Sequence, residues 1–289
     1  MLLRFLVSET PSLNEYIIHH LTFLTNKSPQ GILDFSVVNI DSVFFSVLLA
    51  LLFGGAFYLA ARRPSSGVPG RFQNFIELVV ENVDIQVRSV FHGKSRLIAP
   101  LALTIFCWVF LFNALDVVPL DLLPDAAGAA GIGHLRIVPS TDLNVVFGLS
   151  LTVLLLIIFY SIKMKGFVGF IGEFALHPLR IRNPVYQALV APFNIVVEGA
   201  SFLARPVSLA LRLYGNMFAG EMVFILIALM LLAKGFGALA TPFGWVWTVG
   251  ALALGVLWSL FDLFIAGLQA FIFAILTVVY LSQAYEHHD

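Results

Sequence analysis

Two long apolar stretches near the end of the chain decide how this sequence can fold. Residues 192–232 read PFNIVVEGASFLARPVSLALRLYGNMFAGEMVFILIALMLL, and residues 244–284 read GWVWTVGALALGVLWSLFDLFIAGLQAFIFAILTVVYLSQA. Each has 41 residues, and a helix of that length is about 60 Å long, roughly twice the thickness of the hydrocarbon core of a bilayer. Glycines and Pro242 lie between them and indicate a turn. We therefore expect two long helices, tilted or kinked, that form a hairpin.

The whole chain has the composition of a membrane protein. Of its 289 residues, 60% are hydrophobic and 11% are charged, whereas a soluble domain carries about 25% charged residues. The one cysteine, Cys107, lies in an apolar run, which excludes an internal disulfide and a cysteine-based metal cluster. Because the formal net charge is -1, there is no basic footprint for nucleic acid, which we do not expect as a partner.

Three further uncharged stretches predict membrane-spanning helices at residues 42–61, 97–115 and 143–162. Each is 19 or 20 residues long, which is about the length that one helical crossing needs. In residues 70–92, charged and apolar side chains fall on opposite faces of a helix, so this amphipathic helix either lies on the membrane surface or packs against another subunit. The sequence predicts a single all-α polytopic membrane domain over residues 1–289, with about five crossings plus the amphipathic interfacial helix.

The charges in the loops orient these helices. Basic residues follow the first and third spans and precede the second, so we expect those loops in the cytoplasm. They are Arg62, Arg63, Arg71, Arg88, Lys94, Arg96, Lys163, Lys165, Arg180 and Arg182. The loop between the second and third spans has the opposite bias and is expected outside; it carries Asp116, Asp121, Asp125 and Asp142 against Arg136 alone. The N-terminal segment 1–41 is then external and the C-terminus is cytoplasmic. This segment lacks the features of a signal peptide, so we expect it on the mature protein.

Ionisable residues inside the long hairpin are candidates for function, because charges within a membrane are costly. On the first helix, a polar stripe falls within an arc of about 80°. It consists of Glu198, Ser201, Arg205, Ser208, Arg212 and Asn216, and Glu221 lies on the opposite face. On the second helix, one face carries Asp262, Gln269, Tyr280 and Gln283.

A hairpin that turns near residues 240–244 would bring Arg212 level with Gln269, and Glu221 level with Asp262. The helical wheel nevertheless places Glu221 behind the stripe of Arg212, and straight-helix geometry does not resolve this conflict. Arg212 stays charged at any physiological pH and needs an acidic partner or water. Either it pairs with Glu198 or a neighbouring carbonyl to lock helices together, or its partner is a carboxylate on another protein or a transported ion.

Several blocks of the sequence resemble a known family. Residues 208–221, SLALRLYGNMFAGE, closely resemble the signature helix of subunit a of the bacterial F-type ATP synthase. The resemblance continues, in the family's order, over nearly the whole chain. The further blocks are NIDS at 39–42, HGKSRLIAP at 92–100, YSIKMKG at 160–166, LQAFIF at 268–273 and LTVVYL at 276–281.

This resemblance implies a non-catalytic stator subunit in the bacterial inner membrane, beside a rotating ring of c subunits. The family's essential arginine corresponds to Arg212, and two aqueous half-channels would meet the ring on either side of it. A ring carboxylate that reaches this cation releases its proton, because a nearby opposite charge favours the ionised form, and it is reprotonated before it re-enters lipid. The implied partners are the c-ring, the b-subunit peripheral stalk, the rest of the synthase, membrane lipid and protons. No cofactor or metal is implied.

The resemblance also implies roles for the other polar residues. Gln269 would position Arg212 by hydrogen bonding, and Ser208 and Asn216 would donate to the arginine or hold water, unless they only stabilise helix packing. The outer half-channel would be lined by Glu221, Asp262, Asn113, Asp116 and Asp121. The inner path would be lined by Glu198, Ser201 and Tyr280.

One departure from the family pattern concerns Glu221 and Asp262. Well-known members carry an acid and a histidine at these two positions, whereas both are acids here, so the two carboxylates could share one proton and titrate as a pair. Two other classes of protein agree less well with the sequence. A secondary ion-coupled transporter usually shows internal repeats, and the Arg212 helix has no second copy in the chain. An intramembrane hydrolase would need a Ser–His or metal-binding pair, and the spans contain no histidine.

Overall fold

The computed structural model describes most of the chain. It covers residues 17, 22–27, 37–62, 67–93, 95–118, 122–129, 135–176, 178–179, 183–232 and 241–285. Within those ranges the regular structure is helical, and the one pairing between extended segments is an isolated antiparallel bridge between Thr25 and Asn39. The all-α prediction is therefore confirmed for the described part of the chain.

Seven α-helices follow one another through the described ranges. They are α1 (Ile40–Arg62), α2 (Arg71–Val90), α3 (Ile98–Ala114), α4 (Leu122–Ala129), α5 (Leu143–Leu176), α6 (Pro184–Leu232) and α7 (Pro242–Tyr285). Short 3-10 turns follow α3 at Leu115–Val117 and precede α5 at Pro139–Thr141. Five of the helices, α1, α3, α5, α6 and α7, are long and apolar enough to cross a membrane, which confirms the polytopic prediction.

The last two helices are as long as the sequence predicts. α6 has 49 residues and α7 has 44, so at 1.5 Å per residue they are about 70 and 65 Å long. α6 begins at Pro184, eight positions before the predicted stretch. A proline is compatible with this start, because the first turn of a helix tolerates it. The turn predicted between the two helices falls largely on residues 233–240, which lie outside the described residues.

The third predicted span is the first part of a longer, broken element. α5 continues through residue 162 to Leu176, and a backbone break at Gly166 (φ 72°, ψ 167°) divides it into two helical segments. This conformation is accessible essentially only to glycine, so Gly166 changes the direction of the chain. The apolar residues that follow then form a further short helix, where the sequence predicted a loop.

The amphipathic helix α2 has almost the predicted bounds. Its apolar face is only partly covered within this chain, since Ile76 and Val87 are buried whereas Phe72 and Phe75 are exposed. Both predicted settings for this face, the membrane surface or another subunit, agree with that exposure.

The described residues form two compact units. Unit 1 takes its residues from 1–64, 107–145 and 213–271, and unit 2 takes its residues from 65–106, 146–212 and 272–289. The predicted single membrane domain stays a prediction.

In unit 1, the segment before α5 and the helix α3 both pack against α1. Phe45 of α1 forms an apolar cluster with Ile137 and Val138, and the indole N–H of Trp108 donates to the carbonyl oxygen of Ser46 at 3.0 Å. These contacts hold the neighbouring Arg136 inside the unit.

In unit 2, the end of α5 packs against the beginning of α6. The rings of Phe170, Phe174 and Phe202 meet edge to face at centroid distances of 5.1–6.0 Å. The buried amide of Asn194 donates to the carbonyl oxygens of Ala175 and Leu179 at 3.0 and 2.8 Å. Asn194 thus satisfies backbone acceptors that the end of α5 leaves unpaired.

Candidate functional site

Arg212 lies on an exposed polar face of α6. The side chains of Ser201, Ser208, Arg212 and Asn216 are all exposed, and Arg212 Nη2 donates to Ser208 Oγ at 3.5 Å. Within the described ranges no carboxylate forms an ion pair with Arg212. Glu221, which the sequence placed on the opposite face of the helix, is 4% exposed.

Glu198, one of the partners predicted for Arg212, pairs with Arg205 instead. Arg205 Nη2 lies 3.6 Å from Glu198 Oε1, and both side chains are about a quarter exposed. The guanidinium of Arg205 also lies over the ring of Tyr280, 5.4 Å from its centroid. The Glu198 carboxylate is therefore paired within its own helix, and Arg212 stays available to a group outside unit 2.

The structure brings Glu198 and Tyr280 together in a cleft of unit 2. The cleft has a volume of about 480 Å³ and is lined by charged and aromatic side chains, among them Lys165, Glu173, Glu198, Arg205 and Tyr280. The Lys165 ammonium donates to both carboxylate oxygens of Glu173, at 3.0 and 2.9 Å, and to the carbonyl oxygen of Gln283 at 3.1 Å. The break at Gly166 immediately after Lys165 allows α5 to turn back so that this contact across the break can form.

In unit 1, Glu221 pairs with a buried arginine from the loop before α5. The Arg136 guanidinium donates to Glu221 Oε2, and the two side chains are 5% and 6% exposed. The ring of Phe23 lies over the guanidinium at 4.2 Å. The backbone N–H of Arg136 donates to Asp41 Oδ2 at 3.1 Å. The buried cation is thus paired with one carboxylate and covered by one aromatic face, while its Nε has no hydrogen-bond partner in the described ranges.

Asp262 lies beside Asp116 and Gly220. A Cβ on Gly220 would lie 2.8 Å from Asp262 Oδ1 and 3.2 Å from Asp116 Oδ2, so both carboxyl groups occupy the space that the glycine leaves free. Asp116 and Asp262 are 3% and 1% exposed. Asn113 lies one turn before Asp116 and is completely buried. Gly220, the residue before Glu221, lies beside Asp262, which agrees with the predicted equal depth of Glu221 and Asp262 in the hairpin. Glu221 nevertheless pairs with Arg136, and Asp262 lies beside Asp116.

Gln269 is buried on α7 and bonds to α6. Its Oε1 accepts a hydrogen bond from Asn216 Nδ2 at 3.0 Å. The predicted hydrogen bond between Gln269 and Arg212 stays a prediction, and Asp121 lies outside the described residues.

The chain is similar to known proteins over almost its whole length. The family model for the ATP synthase A chain matches residues 43–282. The chain belongs to the ATP synthase A chain family. It is 47% identical to an ATP synthase subunit a from Acinetobacter baumannii and 48% identical to one from Acinetobacter baylyi, in each case over 95% of this chain and 96% of the relative. It is 51% identical to an ATP synthase subunit a 1 from Methylococcus capsulatus, over 94% of this chain and 95% of that protein.

As a member of the ATP synthase A chain family, the chain is a non-catalytic, multi-pass subunit of a bacterial inner-membrane complex with other F-type ATP synthase subunits. Within the part of the chain that the structure describes, no group of three His, Cys, Asp or Glu side chains is placed to hold a metal ion.

Sequence reasoning missed three residues of this family member's polar clusters. Arg136 entered the prediction only through the orientation of its loop, and its position among four acids of that loop gives no signal for its partner, Glu221 of α6. Asp41 was treated as part of an external segment, yet its carboxylate accepts backbone N–H groups from Leu24, Ser42 and Arg136. Gly220 carries no local signal, because only the fold shows what approaches it.

Proposed function

We propose that this chain is the proton-translocating stator of an F-type ATP synthase and that Arg212 is the fixed cation past which the carboxylates of a c-ring move. The main support for this proposal is that Arg212 is exposed on α6 and has no carboxylate partner among the described residues. Three other cations, Arg136, Arg205 and Lys165, each have such a partner. A permanent charge in an apolar helix is costly unless another molecule compensates it, and a mid-membrane carboxylate of a ring subunit has the chemistry to do so.

The permanent charge of Arg212 explains how rotation is coupled to proton flow. A ring carboxylate that comes close to the guanidinium is stabilised in its charged form and releases its proton. The carboxylate must be neutral before it returns to lipid, since burying it charged is prohibitively costly. Arg212 itself cannot pass protons on, because a guanidinium does not lose its proton. Protons therefore cross only by way of the ring.

Two aqueous half-channels would deliver and collect these protons. The outer one would be lined in unit 1 by Asn113, Asp116, Asp121, Glu221 and Asp262. The inner one would be lined in unit 2 by Glu198, Ser201 and Tyr280. Two observations support this division: the charged cleft of unit 2 contains Glu198 and Tyr280, and Glu221, Asp262 and Asp116 cluster in unit 1. Ser208, Asn216 and Gln269 would keep Arg212 in position.

The orientation of the chain completes this proposal. The N-terminus would lie outside and the C-terminus in the cytoplasm, with the b-subunit peripheral stalk holding the chain against the torque of the ring. The membrane potential supplies about 2.3 kcal/mol per elementary charge per 100 mV, so several protons must cross for each ATP. A secondary transporter has no specific observation in its favour.

Substitution of Arg212 tests the proposal. In the complete synthase reconstituted into vesicles, we expect Arg212→Ala to abolish ATP-driven acidification and ATP synthesis, while ATP hydrolysis by the assembled complex persists. Arg88→Ala is the matched control, because it removes one positive charge from an exposed ion pair on α2, where the arginine side chain is 79% exposed. Acidification by Arg212→Ala at the rate of Arg88→Ala would overturn the role of Arg212.

A further inference from the structure

The carboxyl groups of Asp116 and Asp262 form a pair in a confined, buried site. They come from different elements, the 3-10 turn after α3 and the middle of α7, and meet above Gly220 of α6. Only a residue without a Cβ lets the backbone of α6 come so close to both of them. The pair is therefore built by three segments of unit 1 and is not an accidental surface cluster.

The polar atoms of this pair have unused bonding capacity. In the described ranges, no N–H or O–H group donates to either oxygen of Asp116 or to Oδ2 of Asp262. The amide of Asn113, on the same side of the chain one turn earlier, also has no partner on either atom. Leaving a buried polar group unbonded costs about 1–3 kcal/mol, so this arrangement fits a site that exchanges a mobile hydrogen-bonding species, namely a proton carried by water.

The charges around the pair do not neutralise it. Those acting on Asp116 are the carboxylates of Asp262 and Glu221 and the guanidinium of Arg136. Arg136 is already committed, because Glu221 pairs with it and Phe23 covers its face. Two adjacent buried carboxyl groups without a cation of their own cannot both stay ionised, so they hold a proton between them.

We propose that the Asp116–Asp262 pair is the proton-exchanging group of the outer half-channel, and that Glu221 is a fixed counter-charge of Arg136 that takes no part in exchange. This inference rests on the proposed function and divides the outer residues into carriers and a positioning residue. The pair gives its shared proton to the carboxylate of a ring subunit. A hydronium ion then restores this proton at a carboxylate oxygen and leaves as water, so both charge and protons are conserved.

Three variants of the complete synthase, reconstituted into vesicles, separate the two roles. Proton flux through the membrane sector is measured against external pH. We expect the double variant Asp116→Asn/Asp262→Asn to lose at least about 100-fold in flux, the contribution of a positioned proton-transfer group. Glu221→Gln should also be impaired, because it leaves Arg136 buried without its counter-charge. The double variant Arg136→Gln/Glu221→Gln should recover, with both the flux and the pH profile of the wild type.

Two results would overturn the inference. One is wild-type flux in Asp116→Asn/Asp262→Asn. The other is a double variant Arg136→Gln/Glu221→Gln that conducts no better than Glu221→Gln, which would make Glu221 an obligatory carrier. Should the double aspartate variant fail to assemble, Asp116→Asn alone decides. The remaining carboxyl loses its negative neighbour, so the half-maximal flux must move to lower pH, and an unchanged profile refutes the sharing.

The same vesicles keep this inference apart from the proposed function. If Arg212→Ala pumps protons as the wild type does, the stator role of Arg212 fails, whatever the aspartate variants do. If Arg212→Ala is inactive and the wild type pumps, the stator role stands. The aspartate and Arg136–Glu221 variants then judge the carboxyl pair alone.

Discussion

Replacement of Gly220 by alanine tests the close approach of α6 to the two carboxyl groups. The new Cβ would lie 2.8 Å from Asp262 Oδ1 and 3.2 Å from Asp116 Oδ2, whereas ordinary contact begins at 3.4 Å. Both side chains are buried, so they must move within a packed site, which costs about 1–3 kcal/mol. Alanine offsets up to about 1 kcal/mol of this cost through its higher helix propensity.

A second glycine provides the matched control. Gly250 lies in α7, and a Cβ there would meet nothing within 4 Å, so Gly250→Ala brings the gain in helix propensity without the clash. The difference between the two variants therefore isolates the contact at about 1–3 kcal/mol. If that cost falls on proton transfer, Gly220→Ala should pump about 5- to 150-fold more slowly than Gly250→Ala.

The assay combines two measurements on the assembled synthase. ATP-driven acidification of vesicles reports the pumping rate, and thermal unfolding of the subunit in the solubilised complex reports its stability. We expect Gly250→Ala to match the wild type in pumping and to unfold at the same or a higher temperature. If Gly220→Ala behaves as Gly250→Ala does in both measurements, the carboxyl groups yield without cost and the reasoning fails.

Two further substitutions probe the supports of the two units. Gly166→Ala should destabilise unit 2 by about 1–3 kcal/mol, because the backbone conformation of Gly166 is essentially confined to glycine. Gly172→Ala is the control and should not destabilise the unit, since a Cβ there meets nothing within 4 Å. Equal unfolding temperatures of the two variants would contradict this prediction. Asp41→Asn should cost about 1–3 kcal/mol, since an amide nitrogen replaces an oxygen that accepts backbone N–H groups. Asp84→Asn, in the exposed pair with Arg88, should cost less than about 0.5 kcal/mol, and a similar loss in both variants would count against the Asp41 prediction.

The long-range outline of this protein could be predicted because hydrophobic length is a local property. Long runs of apolar residues identified the five crossings, and helical spacing placed Glu221 on the side of α6 opposite Arg212. The break in α5 was harder to predict. A glycine just beyond a predicted span does not reveal its φ angle, and the turn at Gly166 became apparent only from its backbone.

The polar clusters could be predicted only in part, because partners in a fold are chosen by proximity. Equal depth in the hairpin suggested that Glu221 and Asp262 would share a proton with each other. A loop residue, Arg136, takes Glu221 instead, and a residue at the end of α3, Asp116, becomes the neighbour of Asp262. Neither contact leaves a periodic signal in the sequence, since both join segments that are far apart along the chain.

The pairing of Arg136 with Glu221 also has a consequence for biosynthesis. The two residues are 85 positions apart, and ribosomes add about 5–20 residues per second, so roughly 4–17 s pass between their translation. During that interval the newly made arginine has no counter-charge from α6 and cannot be sealed into an apolar environment at low cost. The insertion of α6 is therefore the event that supplies the counter-charge of Arg136, and the order of synthesis makes this a late step in the maturation of the subunit.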